Sequence, residues 1–133
     1  MTDLEIIRSR IPGYAGYAGD DARHEVDKQI RAYLGEALAA ARDALRPPAA
    51  VGEQLEGLLL RCEFADQRVL RAADHARFDA ALVERLHCLD RELIEAADGV
   101  RATTAPESLA GALDAAARAL DERLGAIAEA PSR

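Results

Sequence analysis

Apolar residues recur along most of this chain at intervals of three and four. Val26, Ile30, Tyr33, Leu34, Ala37, Leu38, Ala41 and Leu45 form one stripe within residues 20–45, the spacing that turns one face of an α-helix inward. Asp20 and Asp21 stand where the positive end of that helix dipole would be. A second stripe runs Val51, Leu55, Leu58, Cys62, Ala65, Val69 and Ala72, and a third runs Phe78, Leu82, Leu86, Leu89, Leu93, Ala96 and Val100. The fourth is Leu109, Leu113, Ala116, Leu120, Leu124 and Ile127. It follows Pro106-Glu107, a pair suited to a first helical turn, where proline loses no hydrogen bond and an acid meets the dipole. Ahead of all four, Leu4, Ile7 and Ile11 mark one short amphipathic helix.

The stripes are interrupted at residues 12–19, at Pro47-Pro48 and between Gly99 and Pro106. Proline lacks an amide proton and disfavours helical geometry in the residue before it, so Pro47-Pro48 ends the first long helix. Gly99 marks a stop for the third. Residues 71–77 contain neither Gly nor Pro; a break there with Asp74 as cap divides the middle of the chain into helices of matched length. The pattern predicts an all-α fold in a single domain over residues 1–133. Its expected form is an antiparallel bundle of four long helices, preceded by a short N-terminal helix and a loop reading Gly13-Tyr14-Ala15-Gly16-Tyr17-Ala18-Gly19.

Composition supports the class. Half of the residues are hydrophobic but only 4% are aromatic, with no Trp, so Ala and Leu must build the core. Alanine favours helix, and sheets draw on residues that are scarce here. The net charge of −7, with no basic block, opposes a nucleic-acid partner, whose phosphates call for clustered Lys and Arg. Met1-Thr2-Asp3-Leu4-Glu5 is acidic where an export signal is basic. The longest apolar runs, such as residues 37–41, fall far short of the roughly 20 residues a membrane span needs, as does the run 58–60. A cytoplasmic chain with no membrane span is expected, and two cysteines fit a reducing compartment better than a disulfide framework.

Candidate chemistry is sparse. In antiparallel neighbours, residues equidistant from a turn share a height; Cys62 and Cys88 are each 13 positions from His75 and are expected to be neighbours. They are either small buried hydrophobes or a redox or metal pair. Glu84-Arg85-Leu86-His87 is half of the Glu-x-x-His pattern of dimetal carboxylate bundles, completed here only if a symmetric dimer duplicates it. Asp20, Asp21, His24, Asp74, His75 and Asp79 gather at one bundle end, as a cation site or as a solvated, capped terminus. Tyr14 and Tyr17 either anchor a partner or fold over that end. There is no nucleophile elbow, phosphate loop or dinucleotide fingerprint. His87 and Cys88, adjacent on a helix, point about 100 degrees apart, so no catalytic residue and no cofactor are expected.

Ile11-Pro12-Gly13-Tyr14 and Gly16-Tyr17, followed by Arg23, Val26-Asp27 and Ile30-Arg31, with Phe78-Asp79 and Leu89-Asp90 later, form a pattern. It resembles that of a group of uncharacterised bacterial helical proteins. The chain departs from that group at residues 72–77, where the group carries a Tyr- and Gly-rich turn. The resemblance implies a small helical protein and assigns no catalytic residue. The function expected from the sequence is a non-enzymatic interaction or scaffold module that self-associates, as a homodimer, or docks a protein partner. The Ala-rich stretch 36–44 permits close helix approach. The alternative is a metal-binding or redox-responsive bundle using Glu84 and His87 with Cys62 and Cys88, or the end carrying His24 and His75.

Overall fold

A computed structural model describes every residue, Met1–Arg133. The fold is all-α: α1 (Asp3–Arg10), a 3-10 turn (Asp20–Ala22), α2 (Arg23–Leu45), α3 (Ala49–Glu63), α4 (Gln67–His75), α5 (Ala80–Ala102) and α6 (Pro106–Ala128). Three of these, α2, α5 and α6, are 23 residues long, which is about 34 Å at 1.5 Å per residue. No helix is long and apolar enough to cross a membrane.

Cross-helix pairs fix the directions. Tyr33 bonds Asp98 and Glu36 pairs with Arg101, so α2 and α5 run the same way. Gln54 bonds Asp114 and Arg61 bonds Asp121, so α3 and α6 also run together. Arg85 pairs with Glu129 and Asp90 with Arg123, which makes α5 and α6 antiparallel. Asp3 with Arg91 and Arg10 with Asp98 lay α1 alongside α5. A single core joins all of them, with Ile7, Leu34, Leu38, Leu55, Leu86, Leu93, Leu109 and Leu113 among its fully buried side chains.

The second stripe does not make one helix. α3 ends at Glu63, Phe64 is extended (φ −126, ψ 138), and α4 starts afresh after Asp66, whose side chain accepts from the Arg68 amide at 2.8 Å. An Asp that caps a new helix ends the old one without Gly or Pro. A second break does fall after His75, but Asp79 is its cap, accepting from the Leu82 amide at 2.8 Å. Asp74, expected in that role, lies inside α4 and pairs with His24 at 2.7 Å. Gly99 does not stop α5, which continues to Ala102; a Cβ at Gly99 would meet nothing within 4 Å, so the position is an open helical surface.

α2 closes on Arg46, whose left-handed backbone (φ 45, ψ 63) lets its amide return to the Arg42 carbonyl. That geometry costs a residue with a Cβ about 1–2 kcal/mol, and glycine avoids most of the cost while losing more entropy on folding. Arg46→Gly is therefore expected to stabilise the fold by about 0.5–1 kcal/mol. Urea unfolding checks this, and a loss of stability would contradict it.

Candidate functional site

The apolar stripes carry three ionised residues in register. Asp27 stands three before Ile30 and seven before Leu34; Asp90 stands four after Leu86 and three before Leu93; Arg123 stands three after Leu120 and four before Ile127. All three side chains are buried, Asp90 with no exposed surface and Arg123 with 3%. α2, α5 and α6 meet around them. Arg123 Nε donates to Asp90 Oδ1 at 2.7 Å and its Nη1 to Asp27 Oδ1 at 2.8 Å. Arg31, one turn along α2, donates its Nε to Asp27 Oδ2 at 2.9 Å and its Nη1 to the Cys62 carbonyl at 3.0 Å. Two carboxylates thus face two guanidinium groups, and the cluster is neutral as a whole.

The loop between α1 and α2 completes it. Tyr14 and Tyr17 each donate a hydroxyl to Asp90 Oδ2 at 2.6 Å, and Arg123 Nη2 donates to the Tyr17 hydroxyl at 2.9 Å. Their rings are 1% and 2% exposed and meet edge to face at 6.4 Å between centroids. Both rings pack inside the fold as part of its core. Gly16 supplies the turn between them with φ +79, and a Cβ there would lie 2.7 Å from His87 Nε2. The same nitrogen is 3.4 Å from the Tyr17 amide, which donates to it.

Electrostatics follow from burial. Loss of solvent raises the pKa of both tyrosine hydroxyls above 10.0, and the Asp90 charge adds to the rise while Arg123 opposes it. Burial also works against the Arg123 charge, yet Tyr17, Asp90 and Asp27 outweigh it and keep the guanidinium firmly protonated. His87 is shifted below its usual 6.5, first by burial, with Asp90, Asp3 and Glu84 pulling the other way. It is therefore the neutral ring that accepts from Tyr17.

The remaining candidates fall in separate places, although His24 meets Asp74, and Glu84 and His87 line one surface cavity with Asp3. His87 faces the tyrosine loop while Glu84 is exposed. Cys62 is buried beside Gly35 of α2 and its thiol is pushed up to about 11 by desolvation. Cys88 is partly exposed, with its sulfur 3.7 Å from Arg91 and 3.9 Å from Glu92, and both cysteines are free. His24 pairs with Asp74 on the surface; His75 gives its carbonyl to the Arg133 amide. Asp20 pairs with Arg133 and with the buried Arg23, whose guanidinium lies 3.9 Å over the Phe78 ring. No group of three or more His, Cys, Asp or Glu stands close enough to share a metal ion.

One face of the cluster is open. Asp27, Arg31 and Arg123 form the floor of a cleft of about 300 Å³ at the break between α3 and α4. Leu60, Phe64, Val69, Leu120 and Leu124 are its apolar walls, with Arg61 and Asp66 at the rim. Leu60 and Phe64 are 59% and 67% exposed; Met1 is the other exposed large hydrophobic residue. No protein-family model, no curated protein and no solved structure matches this chain.

The Arg123 guanidinium and both carboxylates have a partner at each of their polar atoms, and these bonds hold three helices and a loop in one register. Asp90→Asn leaves Arg123 half-compensated in the core and is expected to cost about 3–5 kcal/mol in urea unfolding. Asp90→Leu combined with Arg123→Met is expected to cost less than the two single changes added together, since no lone charge then remains; simple additivity would contradict the coupling.

The tyrosines set an alkaline limit. Their folded pKa values lie above the unfolded ones, so their contribution is complete below pH 10 and is lost as pH rises beyond it. Stability measured across the alkaline range is expected to fall, and the Tyr14→Phe/Tyr17→Phe variant, weaker at neutral pH, is expected to show a flatter decline. An equally steep decline in that variant would refute the assignment.

Proposed function

We propose that this chain is a non-enzymatic helical interaction module whose docking face is the break between α3 and α4. In this reading the chain is an antiparallel helical bundle in which α3 and α4 together take the place of one long helix. The single observation that carries it is the exposure of Leu60 and Phe64 beside a cleft with three further apolar walls. Apart from Met1 at the N-terminus, the other large apolar groups are buried or partly buried, Tyr14 and Tyr17 included. An exposed aromatic beside an open apolar cleft is the composition of an interface anchor.

The buried cluster serves this reading as a rigid floor. Asp27 and Arg31 hold each other and Arg123 in place beneath the cleft, so a docking partner meets a surface already in its bound shape. Preorganisation of this kind lowers the entropic cost of association. The acidic surface elsewhere keeps non-specific contacts down, since a net charge of −7 repels most other acidic chains.

A hydrophobic dye such as anilinonaphthalene sulfonate tests the face directly. The native protein is expected to bind it, and the Leu60→Ser/Phe64→Ser variant is expected to lose most of the fluorescence. Its folding stability should change by no more than about 0.5 kcal/mol, because both side chains are largely solvated in the folded chain. Dye binding undiminished in the variant, or a loss of several kcal/mol, would place these residues in the core and remove the face.

A further inference from the structure

We propose that the occupant of this face is a second copy of the same chain, seated by exchange, with Phe64 of each copy entering the cleft of the other across a twofold axis. This rests on the docking face described above and adds to it the identity of the partner. A twofold interface must be self-complementary, each copy offering both halves of every contact. Here the two halves are side by side. Phe64 is the projecting group and Val69, Leu120 and Leu124 are three walls of the adjoining cleft.

Size and presentation agree with that. A cavity of roughly 150 Å³ holds a benzene ring, and the cleft measures about 300 Å³, so its volume is sufficient for a phenyl group. Phe64 is in an extended link between two helices, not within one. Its neighbours pin the link: Glu63 ends α3, and Asp66 caps α4 through the Arg68 amide. The ring is therefore carried on a short, fixed projection.

Charge also favours a second copy. The chain as a whole bears −7 and two copies repel each other. Around this cleft the signs are mixed, with Arg61 paired to Asp121 and Arg68 paired to Asp66 on the rim. The floor is balanced in the same way, Arg31 and Arg123 against Asp27 and the deeper Asp90. This face can meet its own image without the repulsion that the rest of the surface imposes, and adjacent opposite charges give a rotated copy oppositely charged groups to face. One aromatic anchor per copy and a small rim suit a dimer with a dissociation constant of about a micromolar, not an obligate one.

Sedimentation equilibrium over a concentration series tests the exchange. The unaltered protein is expected to dimerise. Phe64→Ser removes two anchors per dimer, each worth at least about thirtyfold in affinity, so its dimer weakens roughly a thousandfold. Leu124→Trp, at a partly exposed wall position, keeps the projecting ring but fills the cleft, and it too is expected to be monomeric. Mixed in equal amounts, the two variants restore one ring-in-cleft contact and are expected to form a heterodimer weaker than the native dimer. Thermal melts confirm that each variant is folded. Should Leu124→Trp not fold, p-benzoylphenylalanine at position 64 replaces it. Photolysis is then expected to join two chains at Leu120 or Leu124, and adducts confined to one chain overturn the proposal. A native protein that stays monomeric, variants that dimerise like it, or a mixture of folded variants that does not associate also overturns it. If the native protein is monomeric while dye binding still depends on Leu60 and Phe64, self-exchange fails and the docking face stands. If the dye binding is also absent, both fail.

Discussion

A guanidinium with almost no access to water is the constraint around which this molecule is arranged. Arg123 is brought into the core by the same helical register that buries Leu120 and Ile127. Removing such a charge from water costs several kcal/mol unless its N–H groups find acceptors. Three distant segments supply them: Asp27 from α2, Asp90 from α5 and Tyr17 from the loop. Apolar packing alone tolerates sliding of one helix on another by a turn. Hydrogen bonds at 2.7–2.9 Å do not, because a shift of one turn, about 5.4 Å, would part Arg123 from both carboxylates and leave its charge unpaired in the core.

The loop of residues 13–19 follows from this. Asp90 has two oxygens; Arg123 Nε takes one, and the other accepts both tyrosine hydroxyls. To bring both rings onto a single oxygen, the chain must turn sharply between Tyr14 and Tyr17. Gly16 makes that turn in a left-handed conformation, close enough to His87 that a side chain would collide. The neutral His87 ring then lies near both tyrosines, 6.2 and 5.9 Å between centroids, and accepts from the Tyr17 amide. The loop's odd composition, two tyrosines among glycines and alanines, is the composition needed to cover a buried carboxylate with hydroxyl donors where few other bulky groups exist.

Helices were legible in the sequence because a period of three and four is a direct imprint of burial on one face. Most of the α2, α5 and α6 stripe residues are in the buried set, and Tyr33, Leu45, Phe78, Leu82, Ala96 and Leu124 pack against it partly buried. The cluster was legible in part. Asp27, Asp90 and Arg123 interrupt stripes at in-register positions, and a charge in an apolar stripe is a signal that a partner charge waits in another stripe; Tyr14, Tyr17, Asp27, Arg31 and Asp90 also stand in the motif that carried the resemblance. What one chain cannot specify is which stripe supplies the partner, since that depends on the rotation and height of each helix. The break at Phe64 leaves little trace in the sequence for a different reason. Cys62, Ala65 and Val69 keep the helical period across it, and the only mark is Asp66, a residue equally at home on a helix surface.

That break has a physical consequence for the cleft. An uninterrupted helix over residues 51–72 would carry its stripe straight along the bundle and close over Leu120 and Leu124. Instead α3 ends where Arg31 reaches across to the Cys62 carbonyl, one of the last-turn carbonyls that has no partner within its own helix. The guanidinium that braces Asp27 thus also satisfies the end of α3. Past that point the chain turns outward through Phe64 before α4 returns to pack on α6. The buried ion cluster and the exposed aromatic are therefore two sides of one feature: satisfying Asp27 from above uses Arg31, Arg31 takes up the end of α3, and the link that follows places Phe64 in solvent beside the cleft it leaves open.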